Sequence, residues 1–160
     1  MAVADMIGAA VGVILLVIVA YLLVGSVLST SQIVTSAQKS ATSLEEHQLK
    51  TDFTINQAGL DSTGLNCTIT NTGNEPISDF SQMDIYVYDS STGAYQLYRY
   101  DTSPGIPGTW SIISTGTDVV HPGELDPGET YRILVQTAGT SPAWFQITTA
   151  NAVSASSYLT

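Results

Sequence analysis

Residues 6–28 read MIGAAVGVILLVIVAYLLVGSVL, and none of them is charged. At about 1.5 Å per residue, a helix of this length crosses a hydrocarbon core about 30 Å thick. The apolar residues fall on every side of such a helix, so it is not an amphipathic surface helix. A chain of 160 residues also leaves too small a domain to bury a rod of this kind. A cleaved signal peptide needs a basic start, a shorter apolar core and a small-residue cleavage site. Nothing basic precedes Met6, and the apolar run is too long. The stretch is predicted to span a membrane at about 6–28.

The helical pattern continues past the apolar run. Ile33, Val34, Ala37, Ala41, Leu44 and Gln48 mark one stripe, mostly at steps of three and four, among Ser, Thr, Gln and Lys. One helix is therefore expected from about residue 3 to about residue 50, about 70 Å long. Its second part, about 29–50, carries only a narrow apolar seam. Small residues Gly8, Ala9, Gly12 and Gly25 would let neighbouring helices approach closely, and Gly8 to Gly12 has GxxxG spacing. Asp5 stands just before the apolar run. It reads as a first-turn acid favoured by the helix dipole, or as a carboxylate that pairs across a helical bundle and sets subunit register.

Orientation has two indicators. Lys39 and Lys50 both lie on the C-terminal side of the span, which the positive-inside rule would place in the cytoplasm. With so few charges the rule has little leverage. The composition of the following domain, acidic and rich in Thr, Ser and Gly, suits a surface outside the cell. The chain carries 4 Lys+Arg against 14 Asp+Glu, a formal net charge of −10. Phosphate backbones repel such a chain, so nucleic acid is not an expected partner. The single cysteine, Cys67, excludes an intrachain disulfide.

From about Thr51 the pattern changes. Short alternating runs begin at 51–55, 65–70, 83–88, 95–100, 110–113, 131–135 and 144–147, rich in β-branched and aromatic residues. Asn71-Thr72-Gly73-Asn74 supplies residues that tolerate positive φ, and Ser91-Thr92-Gly93 reads as a hairpin loop. Pro104-Gly105-Ile106-Pro107-Gly108 makes a long rigid loop, and Asp126-Pro127-Gly128-Glu129 a tight turn. Seven short strands in about 100 residues predict an antiparallel, immunoglobulin-like sandwich over 51–160. The class is α+β: an N-terminal helix over 1–50, then an all-β sandwich. Leu65, Cys67 and Ile69 share its inner face, with Cys67 a small core hydrophobe.

Catalytic chemistry is not legible. His47 and His121 lie on different elements without metal-ligand spacing. No nucleophile elbow, Walker loop or dinucleotide fingerprint occurs in a proper context. Asp84, Asp89 and Asp101 could converge on a cation at a sheet edge, but no DxDxDG loop accompanies them. The expectation is a structural protein, not an enzyme, with no cofactor and no metal. Tyr86, Tyr88, Tyr95, Tyr98 and Tyr100 gather around one hairpin. They read either as cross-strand pairs on a half-buried face or as a contact surface, since tyrosine is enriched where proteins meet. Asn66-Cys67-Thr68 is an N-glycosylation sequon whose Asn66 points away from the core.

An apolar N-terminal helix running without a break into a seamed helix and then a β-sandwich resembles the archaeal type IV pilin-like proteins. More narrowly the chain resembles the archaellin superfamily, and within it the FlaF/FlaG family. The residues that carry this are Met6 to Leu49, especially 20–28 (AYLLVGSVL) and 36–39 (SAQK), with 69–77 (ITNTGNEPI) and 125–131 (LDPGETY) in the sandwich. The resemblance implies a non-enzymatic part of the archaellum, the rotating swimming filament of archaea. FlaF-type proteins hold the motor against the surface layer through the sandwich, whereas archaellins polymerise through the N-terminal helix. The implied partners are the membrane, sister archaellum subunits and a surface-layer protein. The implied location is the cell membrane with an external, pseudoperiplasmic domain, or the filament itself. Archaellins and pilins carry a short basic leader. No Lys or Arg precedes Asp5, which favours the FlaF/FlaG branch unless a leader lies outside the quoted sequence.

Overall fold

The computed structural model describes residues 2–137 and 141–159. Helix α1 runs unbroken through Ala2–Lys50. It contains no proline, and Ala, Leu and Val fill most of its first half. The Ser/Thr-rich stretch stays helical because its hydroxyls turn back onto the helix. Thr30 and Thr35 donate to the carbonyls of Ser26 and Ser31 at 2.9 Å, and Ser36 to that of Ile33. The large apolar side chains of α1 from Val3 to Leu28 are all exposed within the single chain. Contacts divide the chain into two compact units, Met1–Ser43 and Leu44–Thr160. The last turns of α1 thus belong with the β-domain.

Among the described residues eight strands follow: β1 Phe53–Asp61, β2 Gly64–Asn71, β3 Asp84–Asp89, β4 Ala94–Tyr100, β5 Thr109–Ser114, β6 Thr130–Val135, β7 Pro142–Thr148 and β8 Ser154–Tyr158. Their order is β1-β2-β6-β5-β4-β3-β7-β8. Two leaves, β1-β2-β6-β5 and β4-β3-β7-β8, face each other across the core. Each of the seven segments expected from sequence overlaps one strand, with Thr51, Asp52 and Met83 lying just outside β1 and β3. The eighth strand, Ser-Ala-Ser-Ser-Tyr, has no β-branched residue to announce it. All pairings are antiparallel except β4–β5, where Arg99 and Tyr100 pair in parallel with Thr109 and Trp110. That short seam joins the leaves into one sheet, a departure from the wholly antiparallel sandwich expected.

Inward alternation builds the core. On β2, Leu65, Cys67 and Ile69 are buried, opposite Val135, Ile133 and Tyr131 of β6. Ile85 and Val87 face inward from β3, and Phe145 and Ile147 from β7. Trp110 and Tyr131 fill the centre, with Tyr100 4.8 Å from Trp110 and Phe80 5.8 Å from Tyr131, ring centre to ring centre. Burial pushes the Cys67 thiol up to about 12, so it behaves as a hydrophobe and not as a nucleophile.

Two turns are wired together across the end of the sandwich. Asn71 is fully buried, and its amide donates to the carbonyls of Leu125 at 2.7 Å and Glu75 at 2.8 Å. Gly128 N–H donates to Asn71 O at 2.8 Å. Tyr131 enters β6 with its hydroxyl donating back to Glu124 O at 2.6 Å and to Asp118 Oδ2 at 3.1 Å. This is the tyrosine corner of immunoglobulin-like sandwiches. Burial, then the Asp118 bond, raise the phenol above its ordinary range. Asp126, itself buried, accepts from His121 N–H at 3.0 Å and lies 2.8 Å from His121 Nδ1. That carboxylate raises the His121 pKa.

Gly73 explains the 71–74 turn differently from the expectation. Its backbone does not need positive φ. Instead a Cβ there would sit 2.5 Å from both Asp52 N and Lys50 O. The turn presses against the chain leaving the helix, where Thr72 and Gly73 N–H donate to Asp52 O and Asn74 N–H to Lys50 O at 2.7 Å. Close approach of two backbones, not conformational freedom, requires the glycine.

Gly73→Ala is expected to destabilise the β-domain by about 1–3 kcal/mol through forced overpacking, measured by thermal or denaturant unfolding followed through the β-sheet signal. Tyr131→Phe removes two hydrogen bonds and leaves the Asp118 carboxylate partly unsatisfied, at a cost of about 1–3 kcal/mol. For His121 the folded pKa lies above the unfolded one. The stabilisation from its charge is complete below about 6.5 and is lost as pH rises through the folded value. The gap in melting temperature between the native chain and His121→Gln should be wider at pH 5 than at pH 9.

Candidate contact face

The hairpin β3–β4 sorts its five tyrosines by strand parity. Tyr98 lies opposite Ile85 and is 3% exposed; Tyr100 follows it inward against Phe80 and Trp110. Tyr98 is a core residue and Tyr100 is half-buried against the core, so both face away from the outer surface of the leaf. Tyr86, Tyr88 and Tyr95 point outward, because residues two apart on a strand share a face.

Pairing extends the outward set across the leaf. Tyr95 pairs with Tyr88, Tyr88 with Trp144, and Trp144 with Tyr158. One row of four aromatic side chains therefore crosses β4, β3, β7 and β8. The next row is Leu97, Tyr86, Gln146 and Ser156. Ring centres of Tyr88 and Tyr95 are 5.0 Å apart at 48°, and those of Tyr95 and Trp144 5.9 Å apart at 87°. The rings brace one another, while Tyr95 and Tyr158 remain 68% and 77% exposed. Leu97, Trp144 and Tyr158 were not readable from sequence as part of this face. For Leu97 and Trp144 the signal lies in alternation parity, but assigning it needs the order of strands.

On the other leaf, Asn66 projects from the outer side of β2, half-buried, and its amide donates to Asp61 Oδ2 at 2.6 Å. Asp61 also accepts from Thr63 N–H at 2.7 Å and Gly64 N–H at 3.2 Å, closing the β1–β2 turn. The Thr63 hydroxyl also donates to Asp61, and that bond, followed by the one from Thr63 N–H, holds the carboxyl below the usual range.

On α1, Asp5, Gly8 and Gly12 follow at steps of three and four, along one side of the helix. A Cβ built at Gly8, Gly12 or Gly25 would meet nothing within 4 Å, so all three open onto free helix surface. Near the end of α1, His47 Nδ1 lies 2.8 Å from Glu75 Oε2, and Lys50 Nζ lies 2.6 Å from Glu46 and 3.6 Å from Glu75. The His47 bond leads the effects that lower the Glu75 pKa.

The three aspartates considered for a cation do not converge. Asp89 is buried and accepts from Ser91 N–H and Ser91 Oγ in its own turn and from Ser141 N–H just before β7. Asp101 accepts from Ser103 N–H in the next loop. Among the described residues no three His, Cys, Asp or Glu side chains are grouped to hold a metal ion. The arrangement offers contact surfaces: an aromatic sheet face and an uncovered apolar helix.

The archaellum periplasmic stator protein FlaG from Sulfolobus acidocaldarius is similar in fold, with a TM-score of 0.50 and 23% identity over 67% of this chain and 97% of that one. A chain from the FlaF and FlaG stator complex of the same organism aligns with a TM-score of 0.47 and 19% identity, over 66% of this chain and 85% of that one. No curated protein sequence matches. The model of the family described as archaeal-type flagellin matches residues 4–157, from the first turn of α1 into β8. The chain belongs to the archaeal-type flagellin family and is related to the archaellum.

Proposed function

We propose that this archaellum component is a non-enzymatic structural subunit, anchored in the cell membrane by α1, with the β-domain outside the membrane touching the surface layer or sister subunits. The observation that carries the reading is the bare helix. Side chains such as Ile14, Leu15, Leu16 and Val17 are 57–70% exposed within the chain. Each would contribute about 1.5–3 kcal/mol on burial, so α1 requires lipid or other helices around it. The similarity to a stator fold supports an anchored role, and the β-domain supplies the face that an external partner would meet. Domain limits of 1–50 and 51–160 follow from this reading, the functional break falling where the helix ends.

A second reading is a filament subunit that polymerises through α1. The side formed by Asp5, Gly8 and Gly12 favours it: small residues admit a neighbouring helix, and a carboxylate at the rim could pair with a neighbour's amine. Asn66 is a modification site in either reading, on an outward side chain of β2.

The full-length chain, purified in detergent and reconstituted in liposomes, should remain membrane-bound at high salt and alkaline pH. It should also bind isolated surface-layer sheets at neutral or acidic pH. Failure to bind at either pH removes the surface-layer role. Electron micrographs showing long regular filaments of this chain alone would replace the anchored reading with the filament one. In that case Gly12→Leu should abolish the filaments.

A further inference from the structure

We infer that the outer face of the β4-β3-β7-β8 leaf is a binding platform for neutral glycan chains; this rests on the proposed external placement and names the chemistry of the partner. The row Tyr95, Tyr88, Trp144 and Tyr158 rises from backbone positions one strand apart, about 4.8 Å, and the Tyr95 ring leans across β3 to sit 5.0 Å from Tyr88 and 5.9 Å from Trp144. The C–H bonds of a pyranose ring are weakly polarised and pack against the electron-rich faces of aromatic rings. Hydroxyls of the same sugar need donors and acceptors close by. The phenols of the row supply them, with Tyr86 and the Gln146 amide in the adjacent row and Ser154, Ser156 and Thr148 beyond.

Charge decides between classes of partner. The chain has a formal net charge of −10. Yet the outward side chains of this leaf include one acid, Asp84, and one base, Arg99, which offset each other. The platform is thus a neutral field on an acidic molecule, suited to an uncharged ligand and not to a basic protein. A second copy of the chain fits less well. Stable protein contacts bury about 1,200–2,000 Å² around an apolar centre, and Leu97 is the one aliphatic side chain in the two aromatic rows. The angles between rings add a further restriction. Coplanar rings suit a flat crystalline polysaccharide, whereas rings tilted at 48° and 87° suit a single twisted oligosaccharide. Their mutual packing holds them in place before the ligand arrives, which lowers the ordering cost of binding.

The test uses the full chain in lipid nanodiscs. The probes are neutral and acidic glycans released from the host cell envelope and immobilised as an array. The native chain should bind neutral glycans, and Tyr95→Ser/Tyr158→Ser should bind them at least 10-fold more weakly. Both side chains are largely exposed and outside the core, so the double variant should stay folded at the assay temperature, its melting temperature lowered only by loss of the Tyr95 contacts to Tyr88 and Trp144. An exposed change on the opposite leaf, Gln57→Ser, should leave binding intact. Intact envelope sheets serve as a second probe, before and after periodate, which cleaves sugar diols and spares the polypeptide. Loss of binding after periodate supports the glycan assignment. Binding that survives periodate overturns it while keeping the external contact. No binding to either sheet overturns both. Equal binding by the double variant, preference for acidic glycans, or self-association that the double variant abolishes would each overturn the glycan platform.

Discussion

A long apolar helix with no cover from its own chain is the constraint on which the rest depends. Burial of apolar area is the main favourable term in folding, yet α1 exposes Val3 through Leu28 on all sides. Those residues do nothing for the β-domain, which must stabilise itself. It does so with a core built by strict alternation around Trp110, Tyr131 and Phe145. The helix in turn stays helical without tertiary support. Its apolar half lacks breakers other than glycine, and the hydroxyls of Thr30, Thr35 and Ser36 are satisfied on the helix itself. The two parts of the chain therefore differ in how they treat apolar surface: the β-domain buries its own, and α1 leaves its own uncovered within the single chain.

Alternation also sets the outer chemistry. Every inward residue on a strand commits its neighbours outward, so the parity that buries Ile85 and Val87 exposes Tyr86 and sets Tyr88 beside Tyr95. A one-residue slip of β3 would exchange the two sets and leave four apolar or aromatic positions wrong at once. Core packing thereby fixes the register of the aromatic row. Its four side chains come from strands that are distant in sequence, and pairing alone brings them together.

This shows why the sequence was only partly legible. The helix could be read because its signal is local: uncharged residues 6–28 and a period of three to four beyond them. The first seven strands could be read for the same reason, from β-branched and aromatic residues in alternation. What resisted was set by neighbours far along the chain. The tyrosines of 95–100 alternate in one strand, but which parity faces the core depends on the partner strands. The last strand has no β-branched residue and only Tyr158 to favour a strand, and it pairs along the edge of β7. Gly73 looked like a turn glycine, and its role is to let two backbones approach, a property of the fold and not of the turn.

The same crossing at Gly73 gives the junction its mechanical character. Leu44 onward groups with the β-domain, so the last turns of α1 are held by the sheet end and not by the helix alone. Asn74 N–H holds the Lys50 carbonyl, Asp52 accepts two backbone N–H groups, and Asn151 donates to the Thr51 hydroxyl at 2.8 Å. The side-chain pairs at His47, Lys50 and Glu75 are exposed and screened, and add little by themselves. Backbone bonds carry the attachment, and they do not depend on salt or on protonation. If partners grip α1, load applied to it enters the sheet at β1 and β2 through bonds that must break together. A flexible linker would instead let helix and sheet part without resistance. Such a junction would suit the proposed anchored role, and it places the attachment in the backbone around residues 50–52 and 72–74, away from the aromatic face.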